Sequence, residues 1–157
     1  MKGKTSIAGL VILLASVGCG GSGASPNPAP LLSIAGDYVI QKTTFSDGCE
    51  GRMDVLSNPG SVRHTPGAST FVLDDHGTRD LPGTVDPTGA FALQPFEGQA
   101  GGVPGRDTFE NGRFTTSGFA VRVTTVVLRS RDTPPAPDCT VVMQWSGAKQ
   151  GAPNVIP

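Results

Sequence analysis

The residues able to do chemistry fall into a few groups. The densest is Asp74, Asp75 and His76, with His64 a short way upstream. Two carboxylates and two imidazoles are a donor set for a divalent metal. Such a metal would make this region a metal-assisted hydrolase centre. The run fits no zinc or calcium-loop spacing, however. Asp, His and Gly are also ordinary turn residues. A hairpin turn with exposed acids is therefore the preferred reading, with no catalytic residue, metal or cofactor assigned. Asp107 and Glu110 form a second carboxylate pair, of the kind a glycoside hydrolase uses; beside a hairpin such groups are ordinarily solvated. The stretch 98–105, GQAGGVPG, lacks the Lys-Ser/Thr and following helix of a phosphate loop, so it reads as a glycine-rich connection. There is no Gly-x-Ser-x-Gly elbow. Arg113, Arg122, Arg129 and Arg131 either line a pocket for an acidic ligand or form the solvent side of an amphipathic sheet. The apolar residues between them favour the sheet.

The three cysteines have different surroundings. Cys19 ends an apolar, uncharged run that begins at Ile7 and follows Lys2 and Lys4. A basic start, an apolar stretch and small residues at its end make a secretory signal peptide. The run is too short to cross a bilayer, which takes roughly 20 apolar residues. Its end, Leu14-Ala15-Ser16-Val17-Gly18-Cys19, resembles the lipobox of bacterial lipoproteins, with Ser16 where Leu is usual. The resemblance implies a signal helix over 1–18, removed by cleavage before Cys19. It also implies a diacylglycerol on the Cys19 thiol and a fatty acyl chain such as palmitate on the new amino group. Buried methylenes at about 0.8 kcal/mol each would anchor the chain in membrane lipid. Gly20 after the cysteine favours the outer membrane by the same resemblance. Ordinary cleavage after Gly18 or after Ala24 is the alternative, and would give a soluble periplasmic or secreted protein. Export carries Cys49 and Cys139 into an oxidising compartment, where a disulfide between them is expected.

The elements that must position these residues are strands. The 22 glycines and 14 prolines punctuate β-branched and aromatic runs, and no apolar pattern of helical period persists after residue 19. Strands are expected over 37–45, near 52–57, over 69–74, through Leu81, Gly83 and Val85, and through Phe91 and Leu93. Pro82 suggests an edge or bulge. Asp86-Pro87-Thr88-Gly89 spells a type I turn. Asn111-Gly112 spells a two-residue hairpin joining 106–110 to a strand from Arg113. Phe119, Val121 and Val123 alternate, whereas Val126 and Leu128 have the other parity, which suggests a bulge at Thr124-Thr125. The last strand, 139–146, places Cys139, Val141, Met143 and Trp145 on one face. Tyr38, Phe71, Phe91, Phe119 and Trp145 are expected to pack a core.

About eight strands with short connections make an all-β, antiparallel up-and-down meander. A closed barrel is favoured over a β-sandwich, because closure would set the first and last strands, and with them Cys49 and Cys139, side by side. Gly36-Asp37-Tyr38 at the first strand, Gly83 with Gly89-Ala90-Phe91, and the Trp145-Ser146-Gly147 ending resemble the small lipocalin-like barrels of bacterial lipoproteins. The domain plan is a signal peptide (1–18), a lipidated cysteine with a flexible Gly/Ser/Pro tether (19–30), a β-barrel-like domain (31–150) and a C-terminal tail (151–157). Loss of Lys2 and Lys4 takes the formal charge from −1 to −3. The bases do not cluster, so no nucleic-acid partner is expected. The function expected is that of a membrane-anchored envelope lipoprotein with a non-catalytic β-domain. Such a domain would bind a small apolar ligand or an envelope protein, or serve structurally. The alternative is an envelope metal-assisted hydrolase using His64, Asp74, Asp75 and His76.

Overall fold

A computed structural model describes residues 29–49, 56–75, 79–100, 103–132 and 134–157. The expected signal helix, Cys19, most of the expected tether and His76 lie outside the described residues. Nine strands are described: β1 Gly36–Asp47, β2 Leu56–His64, β3 Thr70–Asp75, β4 Arg79–Val85, β5 Ala90–Leu93, β6 Phe96–Ala100, β7 Val103–Thr115, β8 Gly118–Val127 and β9 Cys139–Lys149. They form one antiparallel sheet in the order β5-β4-β3-β2-β1-β9-β8-β7-β6, and β5 also pairs with β7. That pairing closes an eight-stranded barrel, with β6 as the extra strand. Among the described residues the only helical element is a 3-10 turn, Arg129–Arg131.

Alternation of apolar and polar residues explains the closure. In β4 the burial alternates without a break, with Arg79, Leu81, Gly83 and Val85 inside. In β8 and β9 the inward residues include Phe119, Val121, Val123, Val141, Met143 and Trp145. Period-two patterning puts one set in the core and the other in water. The outer face carries Gln41, Arg63, Asp80, Arg106 and Arg122. Apolar inside and polar outside is the reverse of a lipid-embedded barrel.

The two ends of the barrel differ. At one end Tyr38, Phe71, Phe91, Phe114 and Phe119 form a single aromatic cluster, with ring centroids 4.6–6.5 Å apart. Both terminal segments cover it. Leu32 and Ile34 are buried, and Ser33 exchanges two backbone hydrogen bonds with Val155, at 3.0 and 2.9 Å. The Tyr38 hydroxyl lies 2.7 Å from the Ile34 carbonyl and 2.8 Å from Asn154 Oδ1. Asn154 Nδ2 donates to the Thr115 carbonyl at 2.8 Å. The segment expected as a tail after 150 is thus part of a clasp. At the other end Cys49, just past β1, is bonded to Cys139 at the start of β9. There Gly48 N–H donates to the Thr140 carbonyl at 2.9 Å. The expected disulfide therefore staples the first strand to the last.

Several local expectations are corrected. The second strand, expected near 52–57, runs on to His64, so Asn58-Pro59-Gly60 lies inside β2, with Pro59 opposite Val39. It is tolerated because the β3 ladder begins only at Gly60. Pro82 is at the edge expected of it: its carbonyl accepts from Gln94 N–H at 2.9 Å, so the side lacking a donor faces the end of the β5 ladder. The stretch 98–105 is mostly strand, with Gly98 opposite Gly105 in the β6–β7 pair. Asn111-Gly112 is not a hairpin. Asn111 has φ 55° within β7, and the register to β8 shifts between Glu110 and Arg113. The pair's tolerance of positive φ makes a bulge at the point where β7 also meets β5. The hairpin falls instead at Thr116-Ser117, between Thr115 and its partner Gly118. Finally, β8 has no bulge at Thr124-Thr125, because its register to β9 is unbroken from Gly118 to Val127. Val127, not Val126, faces inward, and a polar residue, Thr125, occupies the core position between Val123 and Val127.

Candidate functional site

Thr125 leads to the feature most able to do chemistry. Alternation along β3 carries Phe71 and Leu73 inward, and then Asp75. Asp75 is 2 % exposed, so the expected turn of exposed acids is corrected: the strand continues one residue further and its last side chain points into the barrel. Directly opposite, at the start of β4, stands Arg79. Lys42 arrives from β1, Asp107 from β7 and Thr125 from β8.

These five groups form one buried network. The Lys42 ammonium lies 2.8 Å from Asp75 Oδ2. Arg79 donates to the same oxygen through Nη2 at 2.5 Å and Nε at 3.2 Å. Its Nη1 donates to Asp107 Oδ2 at 2.6 Å, and Thr125 Oγ1 donates to Asp107 Oδ1 at 2.6 Å. Trp145 lies beneath, with Lys42 Nζ 4.2 Å and Arg79 Cζ 5.3 Å from its ring centroid. Phe96 flanks Arg79 at 5.1 Å. Two cations and two carboxylates make the network neutral, which is what allows charges to sit inside a barrel at all. Burial would push the Asp75 carboxyl up. The Lys42 and Arg79 charges outweigh it and hold the group below the ordinary carboxylate range. Burial likewise opposes the Arg79 charge, and the two aspartates more than restore it. A carboxylate held that low is a poor proton acceptor at neutral pH, and Thr125, the hydroxyl in the network, is committed to Asp107.

The other sequence candidates do not converge on this network. His64 ends β2 at the clasped end, opposite Phe71, four residues along β3 from Asp75 and so about 13 Å away along the strand. Its Nε2 lies 2.9 Å from the Ala68 carbonyl, which can only accept, so Nε2 carries the proton. Asp74 is on the outer face, opposite Asp80 and Ser61. Among the described residues no group of three or more His, Cys, Asp or Glu side chains could hold a metal ion. Asp107 and Glu110 are split as well, the first buried and the second exposed. Arg113 and Arg122 point to solvent. A shallow, open groove of about 970 Å³ runs over the outside of β2–β5, past Val72, Pro82, Ala92 and Pro95. It is on the far side of the sheet from the charges.

Sequence reasoning missed Lys42, Arg79 and Thr125 as partners, although the signal was there. Arg79 lies two before Leu81, and Thr125 two after Val123, each in phase with an apolar face. Comparison with known proteins finds no family model, no curated protein and no solved structure that matches this chain.

Proposed function

We propose that this chain is a lipid-anchored protein of the bacterial cell envelope, held in the outer membrane by acyl chains on Cys19. Its barrel is a non-catalytic module that binds a ligand or an envelope protein, or serves structurally. The observation that carries this reading is the partition of the three cysteines. Cys49 and Cys139 are bonded to each other, as befits an oxidising compartment. Cys19, at the end of the apolar run, is the one left for lipid. The Gly/Ser/Pro tether between it and the barrel supports the same reading, as does the polar outer wall, which suits water and not acyl chains. A non-catalytic role is supported by a charge network whose members are committed to one another and whose Asp75 is a weak base. Contact with a partner then falls to the outer surface, where the β2–β5 groove offers one concavity, lined by Val72, Pro82 and Ala92 together with Arg63 and Gln94.

Mass spectrometry of the protein purified from its native membrane tests the anchor. The expected result is a mature N-terminus at Cys19 carrying the mass of acyl chains, and loss of membrane association in C19S. An unmodified N-terminus at Cys19 or Ser25 in the soluble fraction would replace the anchored reading with a periplasmic or secreted one.

A further inference from the structure

Backbone pairing closes this barrel over only half its height. β4 pairs with β5 at Gly83, Thr84 and Val85, and β5 meets β7 at Ala90 and Phe91. Gln94 adds one more bond, to Pro82, and the ladder stops at Pro95, which has no N–H to give. β6 then resumes along β7 in the same register, with Phe96 opposite Asp107. Among the described residues, no ladder joins β6 to Arg79, Asp80 or Leu81 of β4. Side chains cross there instead. Arg79 packs on Phe96 and Trp145 and reaches past β6 to Asp107 of β7.

A buried ion pair is an unusual way to hold such a seam. Its attraction is largely offset by the desolvation of both charges, and apolar residues of similar volume often hold as well. What a pair offers over a ladder is separation without orphaned backbone amides. We propose that Arg79 is a latch across a lateral seam between β4 and β6. When it leaves Asp107, β6 and the β7 residues paired with it move away from β4 about Gln94-Pro95. The wall of buried Trp145 and half-buried Phe109, whose rings pack edge to face at 5.8 Å, is then bared. The latch rests on the barrel alone and is independent of the lipid anchor.

The test is D107N, which removes the charge Arg79 reaches for and leaves the Lys42–Asp75 and Arg79–Asp75 pairs intact. β6 and its β7 partners keep their own ladder as they swing, so the readout is exposure of the wall behind them. Trp145 is the sole tryptophan, so acrylamide quenching reports the seam directly. Y38F, at the clasped end, is the control. In D107N the quenching constant of Trp145 should rise about threefold, with far-ultraviolet circular dichroism unchanged, and in Y38F it should not rise. Quenching that is unchanged in folded D107N, or that rises equally in Y38F, overturns the latch. Should D107N fail to fold, R79K keeps the charge but cannot bridge two carboxylates as a fork. It should then show a rise of about twofold, and the absence of that rise overturns the proposal equally.

Discussion

Raising the pH should unfasten the clasped end of the barrel, and a single phenol should account for the loss. Tyr38 is 1 % exposed and is the chain's one tyrosine. Burial pushes its hydroxyl from 10.0 up to about 12. The folded state thus resists an ionisation that the unfolded chain undergoes freely. The stability it contributes is complete below pH 10 and is lost as the pH climbs from 10.0 towards about 12. At about 1.36 kcal/mol per unit, the loss approaches roughly 2–3 kcal/mol at the top of that range. Two measurements check it. The near-ultraviolet absorbance of the phenolate in the folded protein should titrate well above 10. Denaturant midpoints taken at rising pH should fall over the same interval. Y38F supplies the control, because it removes the ionisable hydroxyl and keeps the ring. It should cost about 1–3 kcal/mol at neutral pH, since the one hydrogen that Tyr38 Oη shares between the Ile34 carbonyl and Asn154 Oδ1 is lost, and it should remove the alkaline decline. A phenol that ionises near 10 in the folded barrel, or an equal decline in Y38F, would refute the clasp.

Other outcomes follow from the same structure. Replacing both disulfide cysteines, C49S/C139S, frees a loop spanning 90 positions. The chain-entropy model puts the loss at about 4–5 kcal/mol. The long β1–β9 ladder should still form, so a denaturant midpoint that hardly moves would contradict the staple. Acid should weaken the other end: Asp75 is held low in the folded state, so its contribution is present above the ordinary carboxylate range and disappears as the pH falls through the folded value. D75N, which leaves Lys42 and Arg79 buried without that carboxylate, should cost about 3–5 kcal/mol at neutral pH and flatten the acid limb of the stability profile. G118A should destabilise by about 1–3 kcal/mol, because its Cβ would fall 1.9 Å from the Gly147 carbonyl oxygen and neither strand's backbone can yield cheaply. A wild-type midpoint for G118A would mean the β8–β9 approach is looser than described.

The strands were legible where side-chain period was strong. Phe119, Val121 and Val123, or Cys139 through Trp145, alternate so plainly that class and facing follow from local sequence. Asp86-Pro87-Thr88-Gly89 was equally readable, and its turn is capped by Asp86 Oδ1 accepting from Thr88 N–H at 2.8 Å. Legibility failed where one residue pair serves two backbone geometries. Asn111-Gly112 accepts positive φ whether the chain reverses or merely bulges, and only a second partner, β5, decides between them. Pro82 reads as an edge or a bulge, and the structure makes it an edge towards β5 alone, because a sequence does not say on which side a neighbouring ladder has already ended. Thr124-Thr125 reads as a bulge because Val126 and Leu128 are apolar out of phase, and only Asp107, placed beside Thr125, accounts for a polar residue keeping the core position.

By itself, then, the sequence determined the export signal and Cys19 as expectations, the all-β class, and the pairing of Cys49 with Cys139. These rest on local composition, period and a count of cysteines, which need no partner in space. The tertiary structure alone decided that Lys42, Asp75, Arg79, Asp107 and Thr125 meet over Trp145, and that both termini close over Tyr38. Those contacts join strands far apart in the chain, and whether a charge can be buried depends on which opposite charge the register delivers to it.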